Sequence, residues 1–230
     1  MTGWRGWASG RQPWLTAGLW VAALLCTYLW WHQGAGWPFA PFEDQYGIYV
    51  IGAAPVFAGA MAIYGLLPGL DWVDLQAVTR PQRRDTIAAG LLVAAFAAIP
   101  PLVRWLFTLS TFYLRFMPES RQPANPASPD APAPFHIFWH FGVEVAITLS
   151  ATVLLTGVAG RLLGPLTGIL CYSILLTIQA GRLAPGLFPR LDEPETALSV
   201  TLALLTVPIG LTVFRLSRSG TRPLIGWVGR

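Results

Sequence analysis

Six apolar runs, at residues 15–31, 47–67, 86–116, 135–159, 162–180 and 197–216, dominate this 230-residue chain. Each meets or approaches the roughly 20 helical residues needed to cross a hydrocarbon layer about 30 Å thick. Charge is confined largely to the breaks between them. Only 11% of the residues are charged and 54% are hydrophobic, whereas soluble domains usually carry about 25% charge. A water-soluble core is therefore excluded as the main architecture. The fold expected is all-α: a single polytopic transmembrane domain over residues 1–230 with six transmembrane helices. The first run follows Arg5 and Arg11 but ends in Trp30, Trp31 and His32. With no small-residue cleavage site close behind, it reads as an uncleaved anchor.

All 15 basic residues are arginine. With the N-terminus inside, Arg5, Arg11, Arg80, Arg83, Arg84, Arg161, Arg215, Arg218, Arg222 and Arg230 fall on cytoplasmic segments. Arg115, Arg121, Arg182 and Arg190 fall outside. That bias sets both termini in the cytoplasm and accounts for the basic pI by membrane orientation, without nucleic acid. Nine of the eleven tryptophans lie near the interfaces this topology defines, Trp20 and Trp105 being the exceptions, as suits an amphipathic indole. The outer loop, 117–134, contains six prolines among Ala, Ser and Asn and reads as a solvated, extended linker. No internal repeat marks an inverted-repeat transporter. Cys26 and Cys171 both lie in apolar runs, as small buried hydrophobes.

Several polar residues at membrane depth need an explanation. Pro100 and Pro101 remove two backbone donors near the middle of the third run, so a kink is expected there. Arg104 follows, and its available intramembrane partner is Glu144 on the fourth helix. A charge at that depth points inward and pairs, which predicts an Arg104–Glu144 ion pair, either fixing helix packing or lying on a substrate path. His136, His140 and Glu144 recur at every fourth position along one helical face, and His32 ends the first run. These histidines are candidates for metal or haem ligation; the alternative is interfacial and packing roles. The spacing of Gly157, Gly160, Gly164 and Gly168 with Pro165 implies close helix approach, as a tight hairpin or as a dimerisation face.

Nucleotide chemistry is missing from the chain itself. Without lysine it cannot form a GxxxxGK[ST] loop, and it has no HExxH, GxSxG or glycine-rich dinucleotide turn. An enzyme is not expected, and no cofactor is expected in this chain.

The segment 68–85 is the most distinctive polar feature. It carries Trp72, Asp74, Leu75, Thr79, Arg80, Pro81, Arg83 and Arg84 between the second and third runs. Trp72 and Leu75 offer an apolar contact, and the three arginines can engage acidic or backbone groups of a soluble partner. The same arginines also satisfy the positive-inside rule and can touch anionic lipid. In order of parts, a short cytoplasmic N-terminus, two spans, this loop and four more spans, the chain resembles the ABC-2 type permeases of ABC transporters. In that family the loop forms the coupling helix that fits a cleft in the ATPase. The resemblance implies a permease subunit, an exporter powered by a separate ATPase subunit that holds ATP and Mg. It also implies pairing as a homodimer or as a heterodimer with a related permease. Two other readings compete: a membrane redox or metal- or haem-binding subunit using the outer histidines, and a non-transporting assembly or immunity subunit. The arginine, alanine, glycine and proline richness points to the plasma membrane of a high-GC bacterium.

Overall fold

A computed structural model of the protein describes residues 13–36, 47–66, 81–119, 122–124, 134–159, 164–180 and 197–218. These residues form seven α-helices: α1 (Pro13–Trp30), α2 (Val50–Leu66), α3 (Pro81–Ala97), α4 (Ile99–Leu109), α5 (Phe135–Ala159), α6 (Gly164–Ala180) and α7 (Ala197–Arg218). A 3-10 turn follows α4 over Phe112–Phe116. Strands β1 (Gly34–Gly36) and β2 (Gly47–Tyr49) pair antiparallel and bring the end of α1 to the start of α2. The helices coincide in sequence with the six apolar runs, the third being split between α3 and α4.

Two of the helices, α1 and α5, are long and apolar enough to cross a membrane, or three segments if α3 and α4 count as one broken span. The described parts of α2, α6 and α7 are apolar but shorter. Of the two long helices, α5 is central: 61% of its apolar window is buried, against 11% for α1. It packs against α2, α3, α4, α6 and α7, while α1 lies on α2 and α4. Large apolar side chains such as Trp14, Leu91, Leu166 and Leu204 point outward. That is the distribution expected of a bundle whose surroundings are themselves apolar.

The third run departs from a single kinked helix. It is interrupted at Ala98, and α3 and α4 meet at 43°. Pro100 and Pro101 begin the second helix, near its N1 and N2 positions, where a missing N–H is tolerated. The helical stretch ends at Leu109, with the Ser110 N–H donating to the Leu106 carbonyl at 3.1 Å. The expected helix to residue 116 is thus replaced by the 3-10 turn. Similarly, residues 47–49 at the head of the second run pair as β2.

Because prolines lack an N–H, the carbonyls of Phe96 and Ala97 lose their donors four residues on. The Ala97 carbonyl meets Gly142 of α5: a Cβ placed on Gly142 would lie 2.9 Å from that oxygen. The absent side chain lets the α5 backbone approach an acceptor its own helix cannot satisfy. Gly210 plays the same part between α7 and α5, where a Cβ would lie 2.7 Å from the Ser150 carbonyl oxygen. Gly168 of α6 sits against Thr152 of α5, so this one of the hairpin glycines does mark a close approach. Trp20, one of the two tryptophans away from the interfaces, ties α1 to α3 by donating its indole N–H to the Ala95 carbonyl at 2.9 Å.

At one end of the bundle α1, α4, α5 and the 3-10 turn are joined by aromatic packing. Phe107 stands 4.3 Å from Tyr113, 5.2 Å from Tyr28 and 5.7 Å from Phe138 between ring centroids. Such pairs contribute about 0.5–1.5 kcal/mol each beyond burial.

Replacing Gly142 with Ala forces α5 away from the Ala97 carbonyl of α3, and replacing Gly210 with Ala forces α7 away from the Ser150 carbonyl of α5. Each is expected to destabilise the bundle by about 1–3 kcal/mol. At Gly65 an added Cβ meets nothing within 4 Å, so Gly65→Ala serves as the neutral control. Denaturation of the purified protein in mixed micelles checks the order.

Candidate functional site: a buried polar file on the central helix

Along α5 every fourth residue from His140 to Thr156 is polar, and all five are almost completely buried: His140 2%, Glu144 3%, Thr148 1%, Thr152 0% and Thr156 3% exposed. Spacing by four on a helix of about 3.6 residues per turn forms a continuous ridge inclined to the axis. At about 1.5 Å per residue the ridge runs for about 24 Å, most of the thickness of a hydrocarbon layer. The chain thus places a line of polar groups inside the helix that is least exposed.

The two ends of this file differ chemically. Toward the C-terminus the hydroxyls are satisfied by their own helix. Thr152 Oγ1 donates to the Thr148 carbonyl at 2.8 Å, Thr156 Oγ1 to the Thr152 carbonyl at 2.6 Å, and Ser150 Oγ to the Ala146 carbonyl at 2.6 Å. Back-bonding of this kind lets Ser and Thr be buried in a helix with their polar atoms partnered. Toward the N-terminus the groups are ionisable: His140 Nε2 and Glu144 Oε1 are 2.8 Å apart.

Two further oxygens lie at the junction. Thr148 Oγ1 and the Tyr172 hydroxyl are both buried, and neither has a hydrogen-bond partner among the described residues. Tyr172 is 3% exposed on α6, and its hydroxyl occupies the space left by the missing side chain of Gly52 on α2. A Cβ there would be 2.5 Å from the tyrosine oxygen and 3.0 Å from the Phe141 ring. The hydroxyl therefore lies beside the Phe141 ring, three residues before Glu144 on α5.

A cleft of about 390 Å³ is lined by Trp31, His32, Tyr49, Ile51, Met117, Ile137 and Phe141. Phe141 links it to the buried Tyr172 hydroxyl. It forms part of the cleft lining, packs edge-on to Tyr49 at 6.1 Å and abuts the Gly52 position.

Arg104 is 5% exposed on α4, a helix that packs against α5 and sets Pro101 against Gly142. Its charge acts on Tyr113. Burial of both Arg104 and Glu144 follows from the rule that intramembrane charge points into a bundle. The partner the geometry records for Glu144 is His140, on its own helix.

The histidines separate. His140 is buried in the file, His32 is 8% exposed at the cleft, and His136 is exposed at the start of α5. Among the described residues no three His, Cys, Asp or Glu side chains come together as a metal-binding group. The cysteines Cys26 and Cys171 are free and half-buried.

Of the arginine-rich segment, Trp72, Asp74, Leu75, Thr79 and Arg80 lie outside the described residues, and Arg83 is described as part of the α3 backbone alone. Arg84 is half-buried, and the adjacent Asp85 is fully buried. Both are engaged with neighbours.

The residues that sequence reasoning missed are Thr148, Thr152, Thr156 and Tyr172. A signal for the threonines was present, since the every-fourth-residue spacing that picks out His136, His140 and Glu144 continues unbroken to Thr156. Tyr172 carries no such signal, because only packing of α6 on α2 and α5 brings its hydroxyl beside Phe141. No protein-family model, curated protein or solved structure matches the chain.

Removing one member of a buried ionisable pair strands the other, at a cost of about 3–5 kcal/mol. Glu144→Ala is therefore expected to lower the yield of folded, monodisperse protein sharply. Thr156→Val, which removes a hydroxyl already satisfied by the backbone, should cost about 1 kcal/mol. Size-exclusion profiles of the two variants in one detergent test the difference.

Proposed function

We propose that the chain is the membrane-spanning permease subunit of an ABC transporter, an exporter energised by a separate ATPase subunit. In this reading all six apolar segments span a bacterial plasma membrane, both termini are cytoplasmic, and residues 68–85 dock on the ATPase. Two copies, or one copy and a related permease, enclose the path.

The observation that supports it best is the 43° break between α3 and α4. α3 begins at Pro81, directly after Arg80, and carries Arg84 in its first turn. Any force applied to the loop enters the bundle through this helix. The break at Ala98 then separates α3 from α4, which carries Arg104 and is packed on the polar helix α5. A loop, a stiff helix, a joint and a charged helix in series can convert docking movement into rearrangement around Glu144. The Arg104–Glu144 pair belongs to this proposal, with Arg104 as the counter-charge that α4 brings to the polar file.

Purification from the native membrane is expected to recover an ATP-hydrolysing partner. Changing Arg80, Arg83 and Arg84 together to Ala should reduce its recovery by at least about tenfold, the equivalent of 1.4 kcal/mol. Pro100→Ala with Pro101→Ala should leave recovery intact and alter transport. A preparation without any nucleotide-hydrolysing companion, or one whose recovery ignores the arginines, counts against the permease reading.

A further inference from the structure

We propose that Glu144, His140, Thr148 and Tyr172 form a proton-binding site inside the bundle, reached from the cleft between Trp31, His32 and Phe141. It stands independently of the permease reading, since it concerns this chain alone.

The His140–Glu144 contact at 2.8 Å is a hydrogen bond with one hydrogen between the two atoms. With Glu144 ionised and His140 neutral, the pair carries one negative charge. Uptake of one proton from water brings it to neutrality, as carboxylic acid with imidazole or carboxylate with imidazolium, and no other bond is made or broken. A site that alternates between these states needs neighbours able to serve both. Hydroxyls do so, donating to a carboxylate and accepting from a carboxylic O–H. Thr148 Oγ1, one helical turn from Glu144, and the Tyr172 hydroxyl are two such groups, both buried and neither committed to a described partner. This distinguishes them from Thr152 and Thr156, whose hydroxyls are held by backbone carbonyls.

The surroundings leave few other charges to consider. α4 contributes the buried Arg104, and α6 contributes Tyr172. α3 meets α5 here through Ala97, and its Arg84 and Asp85 lie 12 or more residues earlier, about 18 Å along the helix. α2 faces the site with Gly52; Tyr49 lies toward the cleft and Tyr64 at the opposite end of α2. On α7 Arg215 is exposed. At the end of α1, His32 lines the cleft, where an imidazole can pass a proton between water and the interior. Phe141, one residue from His140, is the wall between cleft and site.

Infrared spectroscopy of the full chain reconstituted in lipid, between about pH 4 and about pH 9 to bracket carboxyl and imidazole titration, tests the assignment. The wild-type spectrum minus that of Glu144→Gln, taken at each pH, should contain one titrating carboxylic-acid carbonyl band; a difference without one overturns the site. Should Glu144→Gln fail to fold, Tyr172→Phe and Thr148→Val decide: each should shift that band by removing a hydroxyl that can partner the protonated acid, and spectra identical to wild type overturn it. Filling the cleft with Ile137→Trp should slow deuterium exchange at the band severalfold on transfer to D₂O. An unchanged rate overturns the route.

Discussion

The need to bury a polar helix at the centre of an apolar bundle organises this molecule. α5 carries six buried polar side chains within a largely hydrophobic segment, and an apolar environment supplies no water to satisfy them. The structure meets that demand in two ways. Threonine and serine hydroxyls turn back onto the helix's own carbonyls, and the ionisable pair is buried on a helix that packs against five others. Those neighbours must come close, and they do so where side chains are absent: Gly52 beneath Tyr172, Gly142 beneath the Ala97 carbonyl, Gly168 beneath Thr152 and Gly210 beneath the Ser150 carbonyl. Close backbone approach at small residues is the main source of helix association when the surroundings are as apolar as the side chains.

The same arrangement links the break in the third segment to the ionisable end of the file. Pro101 deprives Ala97 of its helical donor, and that carbonyl is the point at which α3 touches α5, two residues from both His140 and Glu144.

Legibility followed the physics of each feature. Apolar run length reflects a demand that every residue in a helix contributes to, so the six segments were visible with their ends within a few residues for five of them. The third was misjudged because two prolines, expected to bend a continuous helix, instead start a new one, and because a 3-10 turn is as apolar as a helix end. The burial of Arg104 and Glu144 was readable from the energetic cost of charge at depth. The contact of Glu144 with His140 needed only the four-residue spacing between them.

From the sequence alone came the helical class, the segments that seek an apolar environment and the polar positions too costly to leave facing it, because hydrophobicity and helical periodicity are properties of neighbouring residues. Tertiary structure decided which helix is central, that the Tyr172 hydroxyl and Phe141 meet over Gly52, and that Phe141 also lines a cleft. Those facts depend on residues from α2, α5 and α6 that are far apart in the chain and meet only when glycines allow the backbones to touch.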